Sequence, residues 1–162
     1  MLCLKSIDAR KLLVSLIVCQ AAGFIGSLFT RPAIPSWYAG LVKPSYTPPD
    51  YVFAPVWITL YCLMGLALYL VWRRGTETHW VRPALLIFAL QLMLNAGWSW
   101  LFFGLRSPLA GLQGIVFLWV MIVMTIVLFR RVSLAAALLL VPYLLWVSYA
   151  TRLTWCIWRL NP

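Results

Sequence analysis

The stretch GIVFLWVMIVMTIVLF, Gly114 to Phe129, decides the fold. It is apolar on every side of a helix, with Thr125 the one hydroxyl in it. A helix with no polar face has no surface to offer water, so it belongs inside a large core or in lipid. Continued back to Pro108, the run reaches the roughly 20 residues that a helix needs to cross the hydrocarbon of a bilayer. Arg130 and Arg131 then stop it abruptly. An all-round apolar span points to lipid or to a second copy of the chain, and away from the wall of a binding pocket.

Working outward, the same pattern recurs on both sides. Apolar runs cover Leu12–Phe29, Tyr51–Trp72, Pro83–Leu105 and Ser133–Ile157. Between them stand charges and turn formers, at Gly75–Arg82, Arg106–Pro108 and Arg130–Ser133. The expectation is an all-α integral membrane protein, one domain of five transmembrane helices. The last two connections are so short that the third, fourth and fifth spans must be antiparallel neighbours. Lys5, Arg10 and Lys11 ahead of the first span resemble the start of a signal peptide, and Ala21-Ala22-Gly23 supplies small residues. The apolar run nevertheless continues to Phe29, so the span is expected to be retained.

Composition agrees: 64% of the 162 residues are hydrophobic and 10% charged, too few charges to coat a water-soluble domain. The net charge of +10 is not a nucleic-acid stripe, because the basic residues sit at the ends of apolar runs. That is the pattern of membrane flanks beside anionic headgroups. Lys5, Arg10, Lys11, Arg73, Arg74, Arg82, Arg130 and Arg131 fall on one side of a five-span layout. Arg31, Lys43, Arg106 and Arg159 fall on the other, with Arg152 near the end of span five. The positive-inside bias therefore puts the N-terminus in the cytoplasm.

Pumping and hydrolytic chemistry are poorly supplied. The three carboxylates, Asp8, Asp50 and Glu77, lie outside the apolar runs, leaving no intramembrane acid for a proton relay. No phosphate-binding glycine loop is present. Cys3, Cys19, Cys62 and Cys156 lack metal-ligand spacing, and the single histidine, His79, sits in a polar loop. No metal site is expected.

The remaining chemistry is aromatic and amide. Gln91, Asn95, Trp98 and Phe102 share one helical face; so do Phe53, Trp57 and Tyr61; so do Tyr143, Trp146, Ala150 and Leu153. Asn95 in hydrocarbon needs a partner, which is either a neighbouring helix or a ligand. Ala150, small among rings, either lets helices approach or leaves room for a ligand. Of ten tryptophans, Trp72, Trp80, Trp155 and Trp158 stand near span ends as interfacial anchors. Trp57, Trp98 and Trp146 lie deeper, where stacking faces and N–H donors would suit a large flat apolar molecule. Arg152 either snorkels to the interface or meets an acidic ligand group. The connector WYAGLVKPSYTPPD, Trp37–Asp50, is rich in proline and rings. Pro44, Pro48 and Pro49 keep it extended and stiff, as a collar or a lid.

Three long stretches, Trp37–Tyr61, Gln91–Gly104 and Val141–Asn161, carry a resemblance to the TspO/MBR family of translocator and tryptophan-rich sensory proteins. The resemblance implies a five-helix membrane bundle, often a homodimer. It also implies an intrabundle pocket for tetrapyrroles such as protoporphyrin IX and haem, for sterols, and for isoquinoline or benzodiazepine ligands. The loop at about residues 31–50 would be the lid. The ligand-binding positions it implies are Trp37, Tyr38, Trp57, Asn95, Trp98, Trp146 and Ala150. It also allows a light- and oxygen-dependent porphyrin-degrading activity, with Trp57 and Trp146 as redox partners, or a regulatory membrane scaffold. Two departures stand out. Thr154 and Trp155 replace the amide and tyrosine of the family's sterol-recognition segment. Leu86 and Leu90 replace the small residues used for dimer packing, leaving Ala22 and Gly26 as another small pair.

Overall fold

The computed structural model describes residues 8–162, so Cys3 and the basic flank residue Lys5 lie outside the described residues. Every regular element among the described residues is a helix, and five helical segments are long and apolar enough to cross a membrane. They are α1 (Ala9–Ala33), α2 (Asp50–Trp72), α3 (Val81–Ser99) continued by a π-turn at Trp100–Gly104, α4 (Pro108–Val132), and α5 (Leu134–Leu139) followed by α6 (Val141–Leu160). Side-chain caps open several of them. Asp8 accepts from the Lys11 amide at 3.1 Å, Ser107 from Ala110 at 3.2 Å, and Ser133 from Ala136 at 3.4 Å.

The fifth span differs from the uninterrupted helix expected over 133–157. It breaks at Leu140, between α5 and α6. Pro142 is the cause, since it has no amide proton to continue the ladder from α5. An apolar run hides such a break, because lipid requires no polar residue to mark it.

The five segments form a closed ring. α1 packs on α2 and α3, α3 on α4, α4 on α6, and α5 back on α2. α2 and α6 meet only through a few side chains. α1 and α2 approach closely at Gly65, where a β-carbon would stand 3.0 Å from the Leu16 Cα and 3.2 Å from the Ser15 carbonyl.

The small pair Ala22–Gly26 is buried against this ring rather than offered to a second copy. A β-carbon at Gly26 would stand 2.9 Å from Ser99 Oγ. The dimer surface suggested for that pair is therefore corrected: these residues let α1 approach α3 within one protomer. Leu86 and Leu90 do face outward on α3.

Span four also needs correction. Val116, Phe117, Val120, Met124 and Val127 are exposed, as expected of a lipid-facing helix. Gly111, Ile115, Leu118, Ile122, Thr125 and Phe129, however, form a buried stripe against α3 and α6. Thr125 closes its hydroxyl onto the Met121 carbonyl at 2.7 Å, so its polarity does not mark a face.

Candidate ligand site

The centre of the bundle is a relay of four polar side chains from three helices. Tyr61 of α2 donates its hydroxyl proton to Asn95 Oδ1 on α3. Asn95 Nδ2 donates to the Tyr143 hydroxyl of α6 at 2.7 Å, and Tyr143 donates onward to Gln91 Oε1 at 3.1 Å. All four are buried, Tyr143 completely. The helical period explains the set: Gln91 and Asn95 lie one turn apart and face the same neighbours. Asn95 thus has helix partners for both ends of its amide. The relay ends on Gln91 Nε2, which is buried without a partner among the described residues.

Rings wall this relay on the loop side. Trp57 stacks on Tyr61, with centroids 5.6 Å apart, and meets Tyr143 edge-on at 6.3 Å. Phe53 meets Trp146 at 5.9 Å, and Trp146 leads to Tyr149 at 5.7 Å. Ala150 is half-buried beside them. Trp98 stacks on Phe102 at 5.4 Å and donates its indole N–H to the Gly111 carbonyl at 2.8 Å. That carbonyl makes α4 a contributor to the site, contrary to its reading as a purely outward helix. Trp37 and Tyr38 then lie edge-on against Phe102 and Phe103.

The seven sequence-derived residues therefore fall into two adjoining groups. Trp57, Asn95, Trp146 and Ala150 border the main core; Trp37 and Tyr38 join a second one; Trp98 borders both. Their rings fill the space between them. Trp37 is the member of the set that lines a cavity of about 390 Å³ beside Arg106 and Trp158.

The loop between α1 and α2 is fastened mainly to α6. The Asn161 side chain holds Val42 at both ends, accepting from its amide and donating to its carbonyl, each at 3.0 Å. Tyr149 donates to the Tyr46 carbonyl at 2.8 Å, and the Tyr46 hydroxyl reaches Cys156 Sγ at 3.1 Å. Arg152, exposed near the span's end, lays its guanidinium 5.4 Å from the Tyr46 ring. Inside the loop, Lys43 donates to the Tyr38 carbonyl at 2.7 Å and sits over its ring. Burial, with the Asp50 carboxylate second, pushes the Tyr38 hydroxyl up to about 12.

Sequence reasoning missed Tyr149, Asn161, Phe103 and Gly111. Tyr149 was findable, three residues after Trp146 on the same helix. The Gly111 carbonyl was not, because backbone acceptors leave no mark in residue type. Leu153 and Thr154 point into the bundle, and Trp155 is half exposed. Among the described residues, no three metal-ligating side chains come together.

Residues 15–159 match the TspO/MBR family. The chain belongs to that family. It is 53% identical over 145 residues to the tryptophan-rich protein TspO of Chlorobaculum tepidum, covering 90% of this chain and 92% of that one. It is 42% identical to the translocator protein of Homo sapiens, over 85% of this chain and 82% of that one. The tryptophan-rich sensory protein of Cereibacter sphaeroides is 33% identical, over 96% and 94%. As a TspO/MBR protein with five spanning helices, the chain is an integral multi-pass membrane protein.

Proposed function

We propose that this TspO/MBR protein is a membrane receptor, acting as sensor or carrier, that binds a tetrapyrrole such as protoporphyrin IX or haem between α2, α3 and α6. The carrying observation is that Trp57 and Trp146 stand in the cluster of the buried Asn95 relay, while Trp98 joins that cluster to the adjoining one of the loop residues Trp37 and Tyr38. Flat aromatic walls suit a flat conjugated ring, and the relay offers amide and hydroxyl groups in a low-dielectric setting. Lys43 and Arg152 stand at the loop end, where the propionates of a porphyrin would emerge. His79 lies in the connection between α2 and α3, away from these rings, so the donor set suits a porphyrin held by stacking better than a haem held by an axial histidine. Because the rings pack on one another, binding requires them to part, and the sparse α2–α6 contact is where they part most cheaply.

Saturable quenching of tryptophan fluorescence by protoporphyrin IX tests this directly. Asn95→Ala and Trp146→Phe should each weaken binding about tenfold, the scale of one lost hydrogen bond or ring contact. Unchanged affinity in both variants would place the ligand elsewhere. Competition by a sterol or by an isoquinoline or benzodiazepine ligand tests whether those share the site.

Light-driven porphyrin degradation is the second reading, favoured by Trp57 stacking on a tyrosine that opens a hydrogen-bonded chain. A product formed under light and oxygen, and absent from the Trp57→Phe, Trp146→Phe double variant, supports it; equal bleaching in both removes it. A regulatory scaffold would instead co-purify with one stoichiometric partner. The proposal includes a cytoplasmic N-terminus, on the arginine and lysine bias, and a homodimer, although Leu86 and Leu90 weaken the α3 face as its surface. Cysteine accessibility at each end and cross-linking at Leu90→Cys test these two points.

A further inference from the structure

Arg106 is the one non-glycine residue with a left-handed backbone among the described residues, at φ 52°. It forms the turn between the π-turn and α4. Glycine or asparagine would hold that conformation at lower cost, so an arginine there is a strained choice in need of a reason. The side chain is exposed, and none of the three side-chain carboxylates serves it: Asp8 pairs with Lys11, Glu77 with Arg82, and Asp50 forms no ion pair among the described residues.

The turn sets Arg106 between two cavities. One, of about 390 Å³, is lined by Trp37, Ser107, Trp158 and Asn161 among others. The indole N–H groups of Trp37 and Trp158 have no hydrogen-bond partner among the described residues, which leaves two donors beside the guanidinium. The other, of about 190 Å³, is walled by Leu28, Phe29, Pro32 and Phe103. Leu28 is 56% and Phe29 37% exposed, so this groove opens on the apolar outer surface near the end of α1. A charged, donor-rich cavity and an apolar, outward-facing groove therefore meet at a single arginine.

We infer that this junction is a binding site for an anionic phospholipid. The phosphate accepts from Arg106 and the indoles, and an acyl chain lies in the groove along Leu28, Phe29 and Phe103. A guanidinium binds phosphate bidentately, and interfacial tryptophans favour this depth. A free phosphate ion would use only the first cavity, whereas a lipid uses both. The site lies on the outside of the bundle, so it stands whether or not a porphyrin binds within.

Native mass spectrometry of the purified full chain tests it, with dioleoyl phosphatidylglycerol against dioleoyl phosphatidylcholine. One phosphatidylglycerol should be retained with about fivefold preference, the scale of one basic residue at an anionic surface. Arg106→Gly should abolish the preference while its thermal midpoint equals or exceeds that of the parent, because glycine adopts the turn without strain. Trp158→Phe keeps the ring, removes one donor and should reduce the preference partially. Arg106→Asn also tolerates the turn and replaces the glycine variant should that fail to fold. A preference that survives loss of Arg106 overturns the inference. So does displacement of the lipid by millimolar inorganic phosphate, which would assign the site to a free anion.

Discussion

Replacing Tyr143 by Phe removes one oxygen atom from the middle of the bundle and nothing else. The ring keeps its edge contact with Trp57, and no cavity of consequence opens. The hydroxyl lost accepts from Asn95 at 2.7 Å and donates to Gln91 at 3.1 Å. Asn95 Nδ2 then has no acceptor. Gln91, whose Nε2 already lacks a partner at 1% exposure, loses its last hydrogen bond. Interhelical hydrogen bonds in membranes average about 0.6 kcal/mol with a ceiling near 1.7, because the separated helices find other partners. Two such bonds, with two amides left in a dry core, put the cost at about 1–3 kcal/mol. Tyr69→Phe is the matched control, for the Tyr69 hydroxyl is buried with no hydrogen-bond partner among the described residues, so its removal should be neutral or stabilising. Unfolding of the two variants in mixed micelles by titration with dodecyl sulfate, followed by circular dichroism, gives the comparison. Gln91→Leu in the Tyr143→Phe background should recover part of the loss, since it removes an orphan along with its partner. If Tyr143→Phe costs no more than Tyr69→Phe, the relay does not hold the helices together and the reasoning from burial fails.

Gly111→Ala should destabilise by about 1–3 kcal/mol through overpacking, since its β-carbon would lie 3.0 Å from Phe102 Cγ, in a ring set already enclosed by Trp98 and Trp37. Gly97→Ala meets nothing within 4 Å and should stabilise by up to about 1 kcal/mol through helix propensity, so the pair separates crowding from loss of glycine in thermal unfolding. Asn161→Ala releases both backbone bonds to Val42, and amide exchange measured by mass should rise across the loop while the α2 and α3 cores stay protected; unchanged loop exchange would mean that the Tyr46–Tyr149 contact alone fastens it. Tyr38 is an acid whose folded pKa is raised, to about 12 from 10.0, so the unfolded chain loses its proton first. Stability from this group is whole below pH 10 and falls between pH 10 and 12, and Tyr38→Phe should flatten the alkaline limb of the stability curve in that window.

How much of this was legible in the sequence depended on whether the signal was a property of residues or of places. The five spans were legible because hydrocarbon thickness imposes a length on apolar runs, and the arginine pair at 130–131 ended one of them sharply. The shared faces of α2, α3 and α6 were legible from the 3.6 period, and they do meet: Tyr61, Asn95 and Tyr143 come from three faces read separately. The break at Leu140 was hidden because Pro142 sits inside unbroken hydrophobicity. Ala22 and Gly26 were legible as close-approach residues, but a small pair does not say which helix approaches, and here it is α3 of the same protomer.

The same limit explains why residue type alone left Asn95 undecided between a helix contact and a ligand. Its amide already accepts from Tyr61 and donates to Tyr143, so a ligand that takes a hydrogen bond from Asn95 uses the second N–H of Nδ2 or displaces Tyr143. Displacement leaves Tyr143 an alternative, since its hydroxyl still reaches Gln91 when Asn95 turns away. The two readings of Asn95 are therefore not exclusive. The relay holds α2, α3 and α6 at one spacing, and binding either adds a ligand group at the second N–H or exchanges Tyr143 for one, at a net cost of at most one hydrogen bond between neutral partners, about 1 kcal/mol. That cost is small beside the apolar area a tetrapyrrole would bury among the surrounding rings, at about 25 cal/mol per Å². Stacking would then set most of the affinity and the relay the orientation, so Trp146→Phe should weaken protoporphyrin binding more than Tyr143→Phe does. The reverse order would make the polar relay, rather than the rings, the principal contact.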